Sequence, residues 1–336
     1  MAIVGTTIAD LVPSEKAMAS RVDLLLPAKN PLINSGLAVG GPEVDAVLPA
    51  TGSRKQGLAF IKPLDASEVN VSTDNIDQDG KSGKLTADEF SVIRHEHNFA
   101  WGYADLARMI TAYSIEGGIA AGIAQYWNTR FQKTAVASLK GVLAHIEAVI
   151  AAGTTGTPTP EQVAKKDEYL KLLAGANNTA FSMANVYKAA ATAEDYADMF
   201  DTKIVHPNMY AKWQSEESSS FLTPAQTGSQ FAVYKGYKLI KDTSFGEQMT
   251  VLCRTGGIAF GTRANELENE RLANKGNGGG ANLLHSRQGF VCHVQGTNYA
   301  GETAPDLDTL AQASTWNLAV PAAQFGFRFI KHAKPF

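Results

Sequence analysis

Gly276-Asn-Gly-Gly-Gly-Ala281 is a glycine-rich loop that leads into the apolar run Gln288-Gly-Phe-Val-Cys-His-Val294, and this order of elements decides the fold. Farther along, a polar connection ends in Ala313-Ser-Thr-Trp-Asn317, and the chain closes on Phe325-Gly-Phe-Arg-Phe-Ile-Lys-His332. Glycine-rich segments are typical of flexible linkers, whereas short apolar runs bounded by turn residues indicate buried strands. The last third of the chain is therefore predicted to contain strands joined by polar connections.

The strongest periodic pattern lies in the middle of the chain. Its apolar residues recur at steps near 3.6, which is typical of one helix face: Ile119, Ile123, Tyr126 or Trp127, Phe131, Leu139, Val142, Ile146 and Ile150. Polar residues such as Lys133 and Lys140 fill the other face, and Gly153 with Pro158 marks the end. The pattern predicts a spine helix over residues 116–152, on the order of 50 Å long at 1.5 Å per residue. Its core-facing side chains should be Ile123, Phe131, Leu139 and Ile146.

The region before this helix is predicted to extend away from any core. Residues 1–50 show little periodicity and cannot bury a core of their own. Two apolar runs, Leu58-Ala-Phe-Ile-Lys62 and Phe90-Ser-Val-Ile-Arg-His-Glu-His-Asn-Phe99, flank a long polar stretch over residues 65–88. Two such runs predict an extended β-hairpin, and a connection longer than about 20 residues is unusual inside a compact domain.

Short helices and strands alternate through the rest of the chain. Helices are predicted over residues 104–114, 161–174 and 180–199, and strands over residues 203–206, 237–242, 249–254 and 256–261, with a turn at Pro207. Strands from distant parts of the chain combined with segregated helices indicate an α+β fold. No internal repeat is evident.

Composition excludes several classes of protein. A net charge of -3 argues against a chain that wraps nucleic acid through a basic surface. The two cysteines, Cys253 and Cys292, lie in apolar runs, which favours buried reduced thiols over a disulfide framework. The chain starts without the basic and apolar regions of a signal peptide, and we expect no apolar run of membrane-spanning length. These features predict a soluble chain in a reducing compartment.

The polar stretch contains a sequence that resembles a calcium-binding loop, Asp77-Gln-Asp-Gly-Lys-Ser-Gly-Lys-Leu-Thr-Ala-Asp-Glu-Phe90. Asp77 and Asp79 have the spacing of the first two ligands. Lys81 then replaces an oxygen ligand, the glycine comes one position late at Gly83, and Asp88 stands where a bidentate glutamate is usual. We therefore expect a hydrophilic loop without a metal.

His95 and His97 form the other candidate site, because a spacing of two places both imidazoles on one face of a strand. A zinc site needs further ligands, and the sequence offers none. The favoured interpretation is a polar face of an exposed hairpin, and a metal-dependent enzyme that uses these two histidines is the distant alternative. The glycine run lacks the Gly-Lys-Ser/Thr ending of a phosphate-binding loop, and no nucleophile elbow is present. No catalytic, cofactor-binding or metal-binding residue is assigned, and no enzyme activity is predicted.

The order of elements resembles that of the major capsid proteins of tailed (Caudovirales-type) phages. The resemblance covers nearly the whole chain and is carried by five short patterns in their order: Trp101-Gly-Tyr-Ala-Asp-Leu-Ala107, Tyr126-Trp-Asn-Thr-Arg-Phe-Gln-Lys133, Ile204-Val-His-Pro-Asn-Met-Tyr210, Gly256-Gly-Ile-Ala-Phe-Gly261 and Thr315-Trp-Asn317. It implies an N-terminal arm at residues 1–50 and an extended hairpin loop at 51–100. It also implies a peripheral domain at 101–175 and 301–336, which includes the spine helix, and an axial domain at 176–300.

The resemblance implies self-assembly into the icosahedral head shell of a phage, built of pentamers and hexamers around double-stranded DNA. The implied partners are other copies of the chain, a separate scaffolding protein, a portal and a decoration protein, with little specific DNA contact and no membrane. The implied location is the virion, after assembly in the host cytoplasm. Some relatives crosslink a hairpin lysine, but Lys55 and Lys62 have no identifiable acceptor, so crosslinking is not carried over. A cargo-enclosing nanocompartment shell has the same fold and is the nearer alternative.

Overall fold

The structure is a computed structural model, and it describes residues 35–49, 52–61, 69–72, 79–85, 87–104, 115–227, 231–273 and 280–336. Residues 105–114 of the helix predicted at 104–114, residues 276–279 of the glycine-rich loop and most of the predicted arm lie outside these residues. Ala104 ends a strand instead of beginning a helix. Gly280 begins a strand.

The described strands fall into two large sheets and one small pair. They are β1 Ala38–Val39, β2 Lys55–Ile61, β3 Ala87–Ala104, β4 Leu173–Gly175, β5 Phe200–Val205, β6 Phe221–Leu222, β7 Val233–Tyr234, β8 Tyr237–Lys241, β9 Met249–Arg254, β10 Ile258–Thr262, β11 Glu266–Ala273, β12 Gly280–Val294, β13 Thr297–Tyr299, β14 Trp316–Leu318 and β15 Phe327–Lys331.

The described α-helices are one long element and several short ones. They are α1 Pro42–Val47, α2 Ile115–Ala152, α3 Pro160–Tyr169, α4 Met183–Ala191, α5 Pro207–Glu216, α6 Pro224–Thr227 and α7 Leu307–Leu310. Short 3-10 turns occur at Leu170–Leu172, Glu194–Met199, Ser218–Ser220, Ala313–Thr315 and Ala322–Gln324.

The first sheet has six strands in the order β1-β10-β12-β3-β2, and β11 also pairs with β12. Strand β12 is antiparallel to β3 from Ala281↔Ala104 to Val291↔Arg94. On its other side, β12 pairs first with β11 and then with β10. The long β3 and β12 strands thus form the centre of an extended ribbon.

The predicted hairpin is present. Strand β2 pairs antiparallel with the first part of β3, from Lys55↔Ile93 to Ile61↔Ala87. The rest of β3 pairs with β12, so this strand of 18 residues serves both the hairpin and the sheet. Successive side chains of a strand point to opposite faces, so apolar and polar residues that alternate along β3 can face the core and the outside throughout its length.

Helix α2 is the predicted spine and packs against the first sheet. It begins at Ile115, one residue before the predicted start, and ends at Ala152 as predicted. Ile123, Phe131, Leu139 and Ile146 are all buried, whereas Lys140 is exposed, so the predicted phase is confirmed. The indole of Trp127 donates a hydrogen bond of 2.9 Å to the hydroxyl of Ser286 on β12, which ties the helix to the ribbon.

The expectation that no run reaches membrane-spanning length is wrong for this helix. Ala121–Ala152 is long and apolar enough to cross a bilayer by composition. The apolar side chains of this helix pack inside the protein, because Ile123, Trp127 and Phe131 are buried in the core of the described chain. A core helix passes the same compositional test, so the finding is weak evidence for a membrane.

The second sheet has seven strands in the order β4-β15-β9-β5-β8-β7-β6. One face joins the core that α2 and the first sheet share, through residues such as Val251 and Phe329. The other face is covered by α4, where Val186 packs with Leu252, and by α5, where Trp213 packs with Leu239. The two sheets therefore lie on either side of one continuous hydrophobic core.

Two predicted helices are shorter than expected. The first ends at Tyr169, and Leu173–Gly175 instead pairs parallel with β15 as strand β4. The second begins at Met183, where the Ser182 hydroxyl accepts a hydrogen bond from the Ala184 amide, and ends at Ala191. Glu194 then has a positive φ of 55°, which interrupts an α-helix.

The strands divide between the sheets differently from the predicted domain boundaries. β10, β11 and β12 lie inside the predicted axial range but pair with the hairpin strand β3 or with its partner. β15 lies in the predicted peripheral range but pairs with β9 in the other sheet. Part of the predicted arm is also packed, since Val44 and Val47 of α1 contact the outer face of the first sheet. The domain assignment itself stays a prediction.

Candidate assembly surfaces

The described end of the hairpin exposes apolar side chains. Val69, Val71 and Leu85 are 83%, 78% and 62% exposed. The Asn70 side chain holds the two segments together, because its amide donates to the Lys81 carbonyl at 2.5 Å and its oxygen accepts from the Lys81 amide at 2.9 Å. These apolar groups bury little area on their own subunit, so they can gain burial only against another molecule.

The calcium-like loop gains no ligand from the described residues. Asp77 lies outside them, and the described Asp79, Lys81 and Glu89 are exposed. The Lys81 amide donates a hydrogen bond to the Asn70 side chain. A lysine therefore stands where a calcium ion would need an oxygen ligand. The expected absence of a metal there stays a prediction.

The outer face of the ribbon carries paired charges. Glu96 on β3 meets Arg94 at 2.9 Å and Arg263 at 3.3 Å, and Glu268 on β11 meets Arg287 on β12 at 3.0 Å. The Glu268–Arg287 pair is exposed, and a pair of this kind contributes little stability, about 0–1 kcal/mol. The Arg94 side chain, by contrast, is only 3% exposed. Charges along the edge strand β11 also discourage uncontrolled pairing with another strand. This face is therefore suited to water or to a neighbour of matching charge.

His95 and His97 share one face of β3 as predicted, but that face is not exposed. Their ring centroids are 5.6 Å apart, and both rings pack on Phe290, at 4.9 and 5.2 Å. The expectation of an exposed polar face is wrong because this face of β3 points toward the core, where His95 is 2% exposed. Within the described chain, no group of three or more His, Cys, Asp or Glu residues is arranged to hold a metal.

Burial keeps both imidazoles neutral near pH 7. It lowers the pKa of His95 to about 3, with a smaller contribution from His97. It lowers the pKa of His97 to about 4, with a smaller contribution from Arg130. Neither ring nitrogen of His95 has a hydrogen-bond partner in the described part of the chain.

The stability of the chain is expected to fall in acid because of His95. Between the unfolded pKa of 6.5 and the folded pKa of about 3, the unfolded state binds the extra proton, so the free energy of unfolding decreases as the pH falls. At pH 5 the loss from this residue is on the order of 2 kcal/mol. Denaturant unfolding of the subunit at pH 7 and pH 5 should show a smaller loss for His95→Leu than for the wild type. An equal loss in both proteins would mean that His95 titrates normally.

Lys203 is a buried cation that the sequence does not reveal as special. Its ammonium lies 3.9 Å from the ring centroid of Tyr237 and 5.7 and 5.6 Å from those of Trp213 and Tyr234. Burial lowers the pKa of Lys203 to about 7. A lysine with a lowered pKa can act as a nucleophile, but this one is 0% exposed and its charge faces three aromatic rings. The three rings around Lys203 therefore explain how its ammonium group is buried, and we interpret it as a structural cation in the second sheet.

Both cysteines are free and buried, as predicted. Burial raises the pKa of Cys292 to about 12 and that of Cys253 well above its usual value. Thiols in this state are poor nucleophiles, so neither residue is a candidate for catalysis.

Comparison with known proteins shows which fold this arrangement of elements has. No family model and no curated protein matches the chain. The chain in the capsid of Ralstonia phage GP4 is similar over 90% of both chains, with a TM-score of 0.56 and 11% identity. This chain has the fold of a phage capsid protein. The predicted α+β class and the resemblance in fold are therefore confirmed.

Two further solved structures are similar over most of this chain, with lower TM-scores. The cyanophage Pam1 capsid has a TM-score of 0.48 and 9% identity, over 88% of this chain and 90% of that chain. The Mycobacterium phage Bobi structure has a TM-score of 0.44 and 13% identity, over 87% and 90%. The spine helix and the hairpin are the long elements that the sequence predicted.

Proposed function

We propose that this chain is a major capsid protein that assembles into the icosahedral shell enclosing a phage double-stranded DNA genome. The observation that carries the proposal is the likeness to the Ralstonia phage GP4 capsid, which extends over 90% of both chains. A likeness of this extent leaves little of the chain for a separate activity. The shell is built of hexamers and pentamers, because closed symmetry is the usual way for one chain to make a large assembly.

The exposed hairpin end supports a role between subunits. Val69, Val71 and Leu85 expose most of their apolar area in the single chain. Stable obligate interfaces bury on the order of 2,000–5,000 Å². Several small contacts of this kind, spread over different neighbours, together reach such an area.

The remaining partners belong to the same proposal. A separate scaffolding protein guides assembly, a portal occupies one vertex, and a decoration protein binds the outside. The packaged DNA makes little specific contact, which agrees with a net charge of -3. Assembly takes place in the host cytoplasm and the product is the virion. The domain ranges given by the resemblance, with residues 51–100 as the intersubunit hairpin, complete this description.

Assembly is tested directly with the purified protein. We expect closed icosahedral particles in electron micrographs and a fast-sedimenting species in analytical ultracentrifugation, either with the coexpressed scaffold or at high concentration. Particles that enclose a protein cargo encoded by a neighbouring gene would favour the nanocompartment instead. A sample that contains only monomers and dimers, even with the scaffold present, would exclude both shells.

A further inference from the structure

A polar depression lies on the spine helix away from the charged ribbon. It has a volume of about 300 Å³, opens to solvent and is lined by Gln125, Asn128, Thr129 and Gln132. These positions follow the i, i+3, i+4, i+7 spacing of one helix stripe, so one element supplies the whole lining. None of the four side chains carries a charge.

Asn128 is the unusual member of this set. It is 5% exposed, yet neither its amide nitrogen nor its amide oxygen has a hydrogen-bond partner in the described part of the chain. By contrast, Gln132 donates to Asp242 at 2.7 Å and the Thr129 hydroxyl donates to the Gln125 carbonyl at 2.8 Å. A buried polar group without a partner costs about 1–3 kcal/mol. The described part of the subunit therefore carries a free-energy cost here that a hydrogen-bonding partner would remove.

The lining determines the chemistry of that molecule. A carboxamide offers one oxygen acceptor and an NH₂ donor, which match the N–H and C=O of a peptide group. Phosphate recognition would need arginine or lysine, and a divalent cation would need carboxylate oxygens. The described residues that line the depression include neither. The depression therefore fits the main chain of an extended peptide.

We propose that Asn128 at the floor of this depression binds a main-chain peptide group of a second copy of this chain. The proposal rests on the proposed function, since a shell places identical copies side by side. Each copy has a suitable segment to offer, because residues 69–72 are exposed and without regular secondary structure. The exposed Gln125 and Thr129 form the rim of the depression.

The Asn128→Leu substitution distinguishes a role of Asn128 in binding a second copy from a role in folding of the subunit. Leucine is similar in volume and removes the unmet amide, so the isolated subunit should unfold at the same or a higher denaturant concentration. Shell yield should nevertheless fall at least tenfold, because the partner's peptide group would then face an apolar side chain. Ser138→Ala is the matched control, since Ser138 is on the same helix, 0% exposed and also without a partner for its hydroxyl, but does not line the depression. That variant should assemble like the wild type.

Labelling measures occupancy directly and does not depend on how well the first variant folds. Gln125→Cys introduces a thiol at the exposed rim, whereas Cys253 and Cys292 are buried. A maleimide should react with the introduced thiol in free subunits and at least tenfold more slowly in shells.

The proposal is overturned if the thiol of the Gln125→Cys variant reacts equally fast in both states, or if Asn128→Leu assembles like the wild type. If the wild-type protein forms no shells at all, the proposed function fails and this inference fails with it. Normal wild-type shells combined with either negative result reject the inference alone.

Discussion

Phe131→Ala is expected to destabilise the subunit by about 3–5 kcal/mol, the usual range for loss of a buried aromatic side chain. Phe131 is 2% exposed at the centre of the spine helix. Its ring lies 4.7 Å from Phe290 on β12 and 5.3 Å from Phe260 on β10, measured between ring centroids. The substitution therefore opens a cavity where the helix contacts two strands of the ribbon. Domains of this kind are stable by about 5–15 kcal/mol, so the loss is a large fraction of the total.

The measurement is denaturant unfolding of the unassembled subunit, together with soluble yield and shell yield. Lys140→Ala on the exposed side of the same helix is the control, and it should change stability by less than about 0.5 kcal/mol. We expect Phe131→Ala to be insoluble or unassembled and Lys140→Ala to form normal shells. A damaging Lys140→Ala combined with a silent Phe131→Ala would reverse the orientation of the spine.

The sequence alone predicts those elements whose pattern is long and local. Helix α2 is found within one residue of its predicted bounds because its apolar stripe follows a 3.6-residue repeat along most of its 38 residues. The hairpin is found because two alternating runs flank a long polar stretch. Short elements are predicted less well, as Leu173–Gly175 shows. Its strand character comes from parallel pairing with β15, which lies at the far end of the chain.

Burial of polar side chains is what the sequence does not predict. The spacing places His95 and His97 on one face of β3, but alternation alone does not say which face meets the core. The sheet order decides this, because Phe290 on β12 packs against both rings. The burial of Asn128 cannot be predicted from the sequence for a similar reason. A polar residue flanking the apolar stripe of a helix looks solvated until the neighbouring elements are in place.

The burial of Lys203 is a third case that the sequence does not predict. Lys203 follows the polar residues Asp201 and Thr202, so its position in the sequence does not indicate a buried side chain. The rings that surround it come from three separate positions, Trp213, Tyr234 and Tyr237. The surroundings of Lys203 therefore depend on tertiary structure and cannot be predicted from the neighbouring residues in the sequence.

Gly141→Ala is expected to have an effect of similar size to Phe131→Ala, for the opposite steric reason. A Cβ atom at Gly141 would lie under 3.0 Å from both the Leu310 carbonyl oxygen and the Trp316 indole nitrogen, closer than real Cβ contacts allow. These two groups are hydrogen-bonded to each other at 2.7 Å, and Trp316 is 1% exposed. An added methyl group must push the helix away from this contact, which costs about 1–3 kcal/mol in overpacking. Loss of the buried hydrogen bond adds about 1–3 kcal/mol.

Gly122→Ala is the matched control for this prediction, because it is the same substitution in the same helix. Apart from its chain neighbours and the adjacent backbone of the helix itself, no described atom lies within 4 Å of a Cβ built at Gly122. Alanine is favoured over glycine in a helix by about 1 kcal/mol, so this variant should be slightly more stable than the wild type. Denaturant midpoints of the two variants should therefore shift in opposite directions. If both variants are stabilised, the spine does not approach Trp316 closely, and the packing of α2 against the C-terminal segment must be different from that described. If Gly141→Ala alone is destabilised, the close contact is what requires glycine at this position, at the expense of intrinsic helix stability.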